Sequence, residues 1–202
     1  MTPGDDYARS MRDAGVRRRR RDMLGQSHAA PLASYAAKLR ECGMGEVPEF
    51  DPFDGGIDAR VLFLLEKPGP RTSTAQGGSG FISRNNDDPT AEATFNFMQQ
   101  AGIPRRLTVI WNVIPWWNST RKITGQELTL GASCVGDLAA LLPKLRVVVL
   151  VGAKAATKAK PYFENTGIAL LTSDHPSPQV RAGFRERWDA IPLKWAEVHR
   201  FV

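Results

Sequence analysis

The chain has 202 residues, which suits a single domain with its own hydrophobic core, and its 42% hydrophobic composition excludes an intrinsically disordered protein. The formal net charge of +6 favours an anionic partner, above all nucleic acid, although a soluble basic protein without such a partner has the same balance. The two cysteines are too few for a four-cysteine zinc or iron–sulfur site and provide no disulfide framework, so we expect no metal and no other cofactor.

The sequence also indicates where the protein is found. No apolar run approaches the roughly 20 residues that a bilayer-spanning helix needs, and the N-terminus lacks the apolar core of a signal peptide. Cys42 and Cys134 are most simply buried thiols in a reducing compartment. We therefore expect an intracellular protein that does not contact a membrane.

Residues 1–29 are polar and contain an unbroken block of arginines from Arg17 to Arg21. A helix is possible here, but like charges on adjacent turns repel each other. Two interpretations remain open: a basic arm that binds phosphates, and a solvated, partly disordered leader. In both, residues 1–29 form an arm that precedes a domain at residues 30–202.

Buried strands and amphipathic helices alternate along the remainder of the chain. The apolar runs predict strands over Val61–Leu65, Leu107–Trp111, Val147–Val151 and Ile168–Leu171. Helices are predicted over Ala30–Cys42, from Pro89 with Asp88 as its N-cap, around Val135–Leu142, and from Val180 onwards in two pieces broken at Pro192. This alternation predicts an α/β fold, a single three-layer α/β/α domain with a central four-stranded, mostly parallel sheet.

Polar residues follow the ends of all the predicted strands. Glu66 and Lys67 follow the first strand, Asn112 the second, Lys154 the third and His175 the fourth. Because the carboxyl ends of parallel strands line the ligand crevice of an open α/β sheet, these residues are expected to meet at one rim. Each also has a plainer interpretation as a solvated turn residue or a helix cap.

Four segments resemble, in the same order, the motifs of the uracil-DNA glycosylase superfamily. The segment Leu65 to Gly69, with the sequence LEKPG, resembles the first motif, a strand that leads into a Gly-Glu-Ala-Pro-Gly-like turn. Phe81 follows a glycine-rich loop and resembles the ring that stacks on uracil, and Asn112 resembles the asparagine that reads the uracil edge. The segment His175 to Pro178, with the sequence HPSP, is the second motif in full. The resemblance extends from about residue 50 to the C-terminus.

The chain departs from the family pattern at several positions. The branch with glutamate in the first motif commonly carries an iron–sulfur cluster on four cysteines, which two cysteines cannot hold. Lys67 stands where relatives usually have aspartate, asparagine or a small residue, and Leu65 replaces the leading glycine. Gln179 stands where many relatives insert a leucine into the duplex. We therefore expect a divergent branch without the cluster.

The resemblance implies a DNA repair enzyme that flips uracil out of the helix and hydrolyses its N-glycosidic bond, leaving an abasic site. An asparagine amide has one acceptor and one donor in a plane, so Asn112 matches N3–H and O4 of uracil. Phe81 would stack on the base, or be an ordinary core phenylalanine, and His175 would donate to O2 as negative charge develops there. Leu65 and Pro68 would complete the base pocket.

The group that handles the attacking water is left open. Glu66 is expected to orient or activate the water, or to offset the positive charge of the sugar. Lys67 would hold a phosphate or the departing base, or attack the sugar as a Schiff-base amine, or simply be solvated. Alternatively, one of Asn85, Asn86 and Asp87 holds the water.

Contacts with the DNA backbone are expected from the loop after the second motif. Ser177, Gln179 and Arg181 would press on the duplex around the flipped nucleotide, and Lys154 would join Arg181 in contacting phosphates. The partners expected are uracil-containing DNA and free uracil as product, bound by a monomer associated with the nucleoid. The alternatives are a glycosylase for hypoxanthine or xanthine, and a binder of damaged DNA without catalysis.

Overall fold

The structure is a computed structural model and describes residues 3–202. Its helices are α1 (Ala14–Asp22), α2 (Ala30–Glu41), α3 (Pro89–Gln100), α4 (Gly125–Ser133), α5 (Val135–Ala140), α6 (Ala153–Ala159), α7 (Pro178–Gly183), α8 (Arg185–Asp189) and α9 (Ile191–Ala196). Its strands are β1 (Glu49–Phe50), β2 (Val61–Leu65), β3 (Phe81–Ile82), β4 (Thr108–Asn112), β5 (Val147–Val151) and β6 (Ala169–Ser173). Short 3₁₀ turns connect several of these elements.

The central sheet has four parallel strands in the order β4-β2-β5-β6, which confirms the predicted fold class. Strands β2 and β5 have the predicted bounds, whereas β4 starts one residue later than predicted and β6 extends two residues further. A second, two-stranded parallel sheet of β1 and β3 was not predicted. Two residues per strand are too short to show an alternating pattern.

Both faces of the central sheet are covered. Successive side chains in a strand point to opposite faces, yet every residue of β4 and β5 is buried. On one face, Phe63 meets Trp195 of α9 with ring centroids 4.9 Å apart. Ile110 pairs in register with Phe63, so the next residue, Trp111, points to the other face, where it stacks on Phe50 at 3.6 Å. The ring centroid of Tyr35 in α2 lies 6.3 Å from that of Phe50, so α9 and α2 belong to opposite layers of an α/β/α arrangement.

The start of α3 is as predicted, but the C-terminal helices are not. Asp88 accepts hydrogen bonds from the first backbone N–H groups of α3, and Pro89 occupies its first turn. The helix does break next to Pro192, as predicted, but a further break at Phe184 was not predicted. The chain bends at Phe184 and before Ile191, and Pro192 lies in the first turn of α9, where the missing N–H costs no helical hydrogen bond.

The arginine block forms α1 and packs into the molecule. Arg20 is fully buried, its Nη1 lies 2.6 Å from Asp51 Oδ1, and its guanidinium lies 3.1 Å from the centre of the Phe53 ring. Arg19 is paired with Asp5 at 2.7 Å. The expected repulsion between like charges is offset at Arg19 and Arg20, because each pairs with an aspartate. Arg20 is buried and therefore cannot bind a phosphate as the expected basic arm would. Residues 1 and 2 of that expected arm lie outside the described residues.

Within residues 3–202, no helix is both long and apolar enough to cross a membrane.

Candidate active site

A cavity of about 610 Å³ opens at the carboxyl ends of the central strands. The residues that follow β2, close β4 and follow β6 all line it, so Glu66, Asn112 and His175 face one space although they are distant in sequence. Leu65 and Pro68 also line the cavity. The parallel order of the sheet produces this convergence, because it brings the ends of separate strands to one rim.

Asn112 closes β4 and is 4% exposed. Its backbone position is fixed on both sides, since it pairs in register with Leu65 and the next N–H, that of Val113, donates to Leu65 O at 2.8 Å. The side-chain Oδ1 is buried and has no hydrogen-bond partner among the described residues. Buried polar atoms are nearly always paired, so this acceptor is a candidate for a donor from outside the protein.

His175 lines the same cavity and is held by the residue before it. Asp174 accepts a hydrogen bond from Arg187 Nε at 3.0 Å and lies 3.7 Å from Lys194 Nζ, which ties the loop to α8 and α9. Burial lowers the pKa of His175, while the nearby charge of Glu66 acts in the opposite direction. The lowered pKa leaves the imidazole neutral at pH 7, with one ring N–H to donate.

Glu66 is fixed between β2 and β5. Its Oε1 accepts the backbone N–H of Lys154 at 3.0 Å in the first turn of α6. Gly152 makes this possible: its φ is +95°, and a Cβ there would lie 2.8 Å from Glu66 Oε1. Lys154 thus contributes its backbone, and its side chain is exposed outside the cavity lining.

Lys67 lines the cavity but is committed to an ion pair. Its side chain is 3% exposed, and Nζ donates to Glu127 Oε1 at 2.7 Å and to Lys122 O at 2.9 Å. Burial alone would raise the pKa of Glu127, but hydrogen bonds from Lys67 and Thr124 outweigh it and lower that pKa to about 2. Because Nζ is already bound to Glu127 and Lys122, this geometry argues against Lys67 as a ligand of a phosphate or of the departing base. It also argues against Lys67 as an attacking amine, which needs a neutral nitrogen.

The prediction that Phe81 lies over the base is wrong. The ring is fully buried in a separate cluster with Met11 and Val16, and the guanidinium of Arg21 lies 5.8 Å from its centre. The next residue, Ile82, lines the cavity instead. Neighbouring residues of a strand point in opposite directions, so the ring and the cavity lie on different sides of β3.

The loop after the second motif forms the mouth of the cavity. Ser177 caps α7 through a 3.4 Å bond from Val180 N–H, and both Ser177 and Gln179 line the cavity. Arg181 is exposed, with its guanidinium 5.8 Å from the centre of the Trp188 ring. These placements leave Gln179 and Arg181 open to a DNA backbone.

The structure adds cavity residues that sequence reasoning missed. Arg84 is buried, and its Nη2 donates to Thr108 Oγ1 at 2.6 Å, while burial lowers its pKa to about 10. Arg121 is exposed at the mouth. Asp88, recognised only as a helix cap, also lines the cavity, and burial raises its pKa. No motif marks Arg84 or Arg121, because only the packing of their loops brings them to the cavity.

Of Asn85, Asn86 and Asp87, the three candidates for holding the water, only Asn86 lines the cavity. Asn85 points away and donates to Tyr7 O at 2.8 Å, and Asp87 pairs with Arg9 at 3.1 Å.

The cysteines do not form a metal site. Cys42 is exposed and Cys134 is half-buried, so the expectation of two buried thiols is wrong for Cys42. Among the residues described, no group of three or more histidine, cysteine, aspartate or glutamate side chains could hold a metal ion. Two free thiols do not fit the four-thiolate iron–sulfur cluster of some relatives.

Residues 52–196 match the model of the uracil DNA glycosylase superfamily, and the chain therefore belongs to this superfamily. Membership places it among the DNA glycosylases, enzymes of DNA repair. A solution NMR structure of a protein from Methanosarcina acetivorans, provisionally named a uracil DNA glycosylase, is similar with a TM-score of 0.47 and 17% identity, covering 69% of this chain and 92% of that one. No curated protein matches the chain.

Proposed function

We propose that this protein is a uracil-DNA glycosylase that hydrolyses the N-glycosidic bond of an everted deoxyuridine and leaves an abasic site and free uracil. One observation carries the proposal: the buried Oδ1 of Asn112 has no hydrogen-bond partner among the described residues, and Asn112 shares its cavity with His175. An amide beside a neutral imidazole suits a pyrimidine that has one ring N–H between two carbonyl oxygens.

Asn112 provides the selection for uracil. Its Oδ1 accepts N3–H and its Nδ2 donates to O4. Cytosine has an amino group at position 4 and no hydrogen on N3, so both contacts would fail and each buried unpaired group costs on the order of 1–3 kcal/mol. The enzyme would therefore reject cytosine, whereas thymine has the same N3–H and O4 and is not distinguished by these two contacts.

His175 and Glu66 act on the charges that develop as the bond breaks. The imidazole N–H of His175 donates to O2, where the leaving base gains negative charge, and a donor so placed lowers the barrier by on the order of 3 kcal/mol. The Glu66 carboxylate offsets the positive charge of the oxocarbenium-like sugar. Its hydrogen bond to the backbone of α6 keeps the carboxylate in place during the reaction.

The faces of the base are packed by aliphatic rather than aromatic side chains. Phe81 lies outside the cavity, whereas Leu65, Ile82 and Ile110 line it. Apolar contact of this kind excludes water and strengthens the hydrogen bonds to the base. Gln179 and Arg181 at the mouth, together with Lys154 in the first turn of α6, would contact the DNA backbone.

The test is an oligonucleotide that contains a single deoxyuridine. We expect the wild-type protein to produce alkali-labile abasic sites without added metal, and Asn112→Ala to be slower by on the order of 10²–10³-fold. Asn96→Ala, a change at an exposed asparagine of α3, is the matched control and should keep the wild-type rate. Absence of uracil release by the wild-type protein from both single- and double-stranded substrate would contradict the proposal.

A second candidate has one observation in its favour. Asn86 places another buried acceptor without a described partner in the cavity, and xanthine offers two ring N–H donors where uracil in DNA offers one. A substrate panel that includes deoxyxanthosine and deoxyinosine separates these candidates.

A further inference from the structure

Asn86 has the features of a ligand-binding group that no motif identifies. It is 2% exposed, it lines the cavity, and its Oδ1 is buried without a hydrogen-bond partner among the described residues. A buried acceptor left unpaired costs about 1–3 kcal/mol, so a donor from outside the protein is expected to meet it.

The orientation of the Asn86 amide is determined by its surroundings. Its Nδ2 donates to Phe81 O at 2.8 Å. A flipped amide would set two oxygens against each other, so Oδ1 is the atom left without a partner among the described residues. Asn86 Oδ1 is therefore free to accept a hydrogen bond, while one of the two Nδ2 hydrogens is used by Phe81 O.

The loop that carries Asn86 is held from behind by the N-terminal segment. Met11 N–H donates to Asn85 O at 3.0 Å, and Asn85 Nδ2 donates to Tyr7 O at 2.8 Å. Arg20 Nη2 lies 3.3 Å from Asn85 Oδ1. These bonds fix the residue next to Asn86, so its acceptor is positioned before any ligand arrives.

A deoxyuridine in DNA has few donors with which to meet this acceptor. Its N1 carries the sugar, its O2 and O4 only accept, and its 3′ and 5′ oxygens are esterified. Its one N–H, at N3, is taken by Asn112 in the proposed function. The donor that remains in a hydrolysis reaction is water.

We propose that Asn86 Oδ1 holds and orients the water that attacks the sugar, an assignment that rests on the proposed uracil-DNA glycosylase function. The bond from C1′ to N1 breaks, and its electron pair leaves with the uracil anion. A lone pair of the oriented water forms the new bond to C1′. The proton that this water loses reaches the uracil anion by way of solvent, so the products are neutral uracil and an abasic site. Asn86 orients the water and takes no proton.

Two substitutions isolate the acceptor. Asn86→Leu is close in shape but has no acceptor, whereas Asn86→Asp keeps an acceptor oxygen. Both lose the hydrogen bond to Phe81 O, and the aspartate also sets its second oxygen against that carbonyl. Asn96→Leu on the exposed face of α3 is the matched control. Each variant is assayed for its single-turnover rate on deoxyuridine DNA, for its Kd for DNA with an uncleavable 2′-fluoro-deoxyuridine, and for its thermal midpoint.

We expect Asn86→Leu to lower the single-turnover rate by about 10²-fold, the size of effect that misplacing a reactant causes, with a Kd within about threefold of wild type. Asn86→Asp should stay within about tenfold of wild type, because it keeps an oxygen that can accept a hydrogen bond from the water. Asn96→Leu should match the wild type throughout.

Three results would overturn the assignment. If Asn86→Leu reacts at the wild-type rate while Asn112→Ala is slow, Asn86 has no role in the reaction and the proposed function is unaffected. A loss of Kd as large as the loss of rate, or a new preference among bases, would make Asn86 a base reader. If the wild-type protein itself releases no uracil, the proposed function fails and the water assignment fails with it, and the wild-type measurement distinguishes this case from the others.

Discussion

His175 lines the cavity, and burial lowers its pKa. As the pH falls below the ordinary value of 6.5, the unfolded chain takes up a proton on this imidazole before the folded protein does. Stability is therefore lost as the pH falls through this range, and the neutral imidazole persists to a lower pH than in a free histidine.

This pH dependence can be measured by comparison with His175→Gln, which cannot titrate. We expect the wild-type protein to lose more unfolding free energy than the variant between about pH 7.5 and about pH 5.5 in urea denaturation. The acid limb of the wild-type single-turnover rate should lie below 6.5 for the same reason. Equal losses of stability in the two proteins would contradict the buried, neutral imidazole.

At the residue scale, the sequence located some groups and misplaced others for physical reasons. Asn112 and His175 were found because a polar residue at the end of a buried strand has a position that the sheet determines. Phe81 was misplaced because β3 has only two residues, which do not reveal the face on which a side chain lies. Lys67 was misread because its partner Glu127 is 60 residues further along the chain.

At the scale of elements, the ion pair between Lys67 and Glu127 connects the end of β2 to α4. Glu127 also accepts from Asn118 Nδ2 at 2.8 Å and closes a capping box with Thr124, so one carboxylate organises the loop between β4 and α4. The pKa of Glu127, lowered to about 2 from 4.5, means that this stabilisation is complete above pH 4.5 and is lost as the pH falls through about 2.

Lys67→Met tests whether this lysine is structural. We expect it to lower the unfolding free energy by about 3 kcal/mol, because it leaves a buried carboxylate without its cation, and to weaken the acid dependence assigned to Glu127. Well below its thermal midpoint the variant should keep glycosylase activity within about tenfold of wild type, whereas loss of a nucleophile would lower the rate by several orders of magnitude. A stable but inactive variant would restore Lys67 to the chemistry.

At the scale of the whole molecule, the N-terminal segment is part of the domain that contains the cavity. Arg20 and Arg105 both pair with Asp51, at 2.6 Å each, beneath the loop that carries Asn86. Residues 5–22 precede the region matched by the superfamily model. They nevertheless pack against the Phe81 ring through Met11 and Val16, and Arg20 donates a hydrogen bond to Asn85. Composition identified the basic block, but the acidic partners that bury Arg20 could not be inferred from a pattern of charge alone.

Arg20→Met is expected to destabilise the protein by about 3–5 kcal/mol, because it leaves the buried Asp51 with one of its two cations. Arg18→Met, at an exposed position of the same helix, is the matched control and should change stability by less than about 0.5 kcal/mol. Chemical denaturation of the two variants measures the difference. Equal stabilities would indicate that the segment is a detached basic arm after all.

The fold of the remaining chain was largely predictable because its strands are continuous apolar runs and its sheet is parallel throughout. The cavity was predictable only as a rim of strand ends. Its lining by Arg84, Asn86 and Arg121 depends on how loops pack, which no local pattern specifies.

The most direct test of the central claim is a crystal structure of the wild-type protein soaked with uracil. We predict a uracil in the cavity whose N3–H donates to Asn112 Oδ1, whose O4 accepts from Asn112 Nδ2, and whose O2 lies within hydrogen-bond distance of the His175 ring. A uracil bound elsewhere, or a cavity closed by the protein's own side chains, would contradict it.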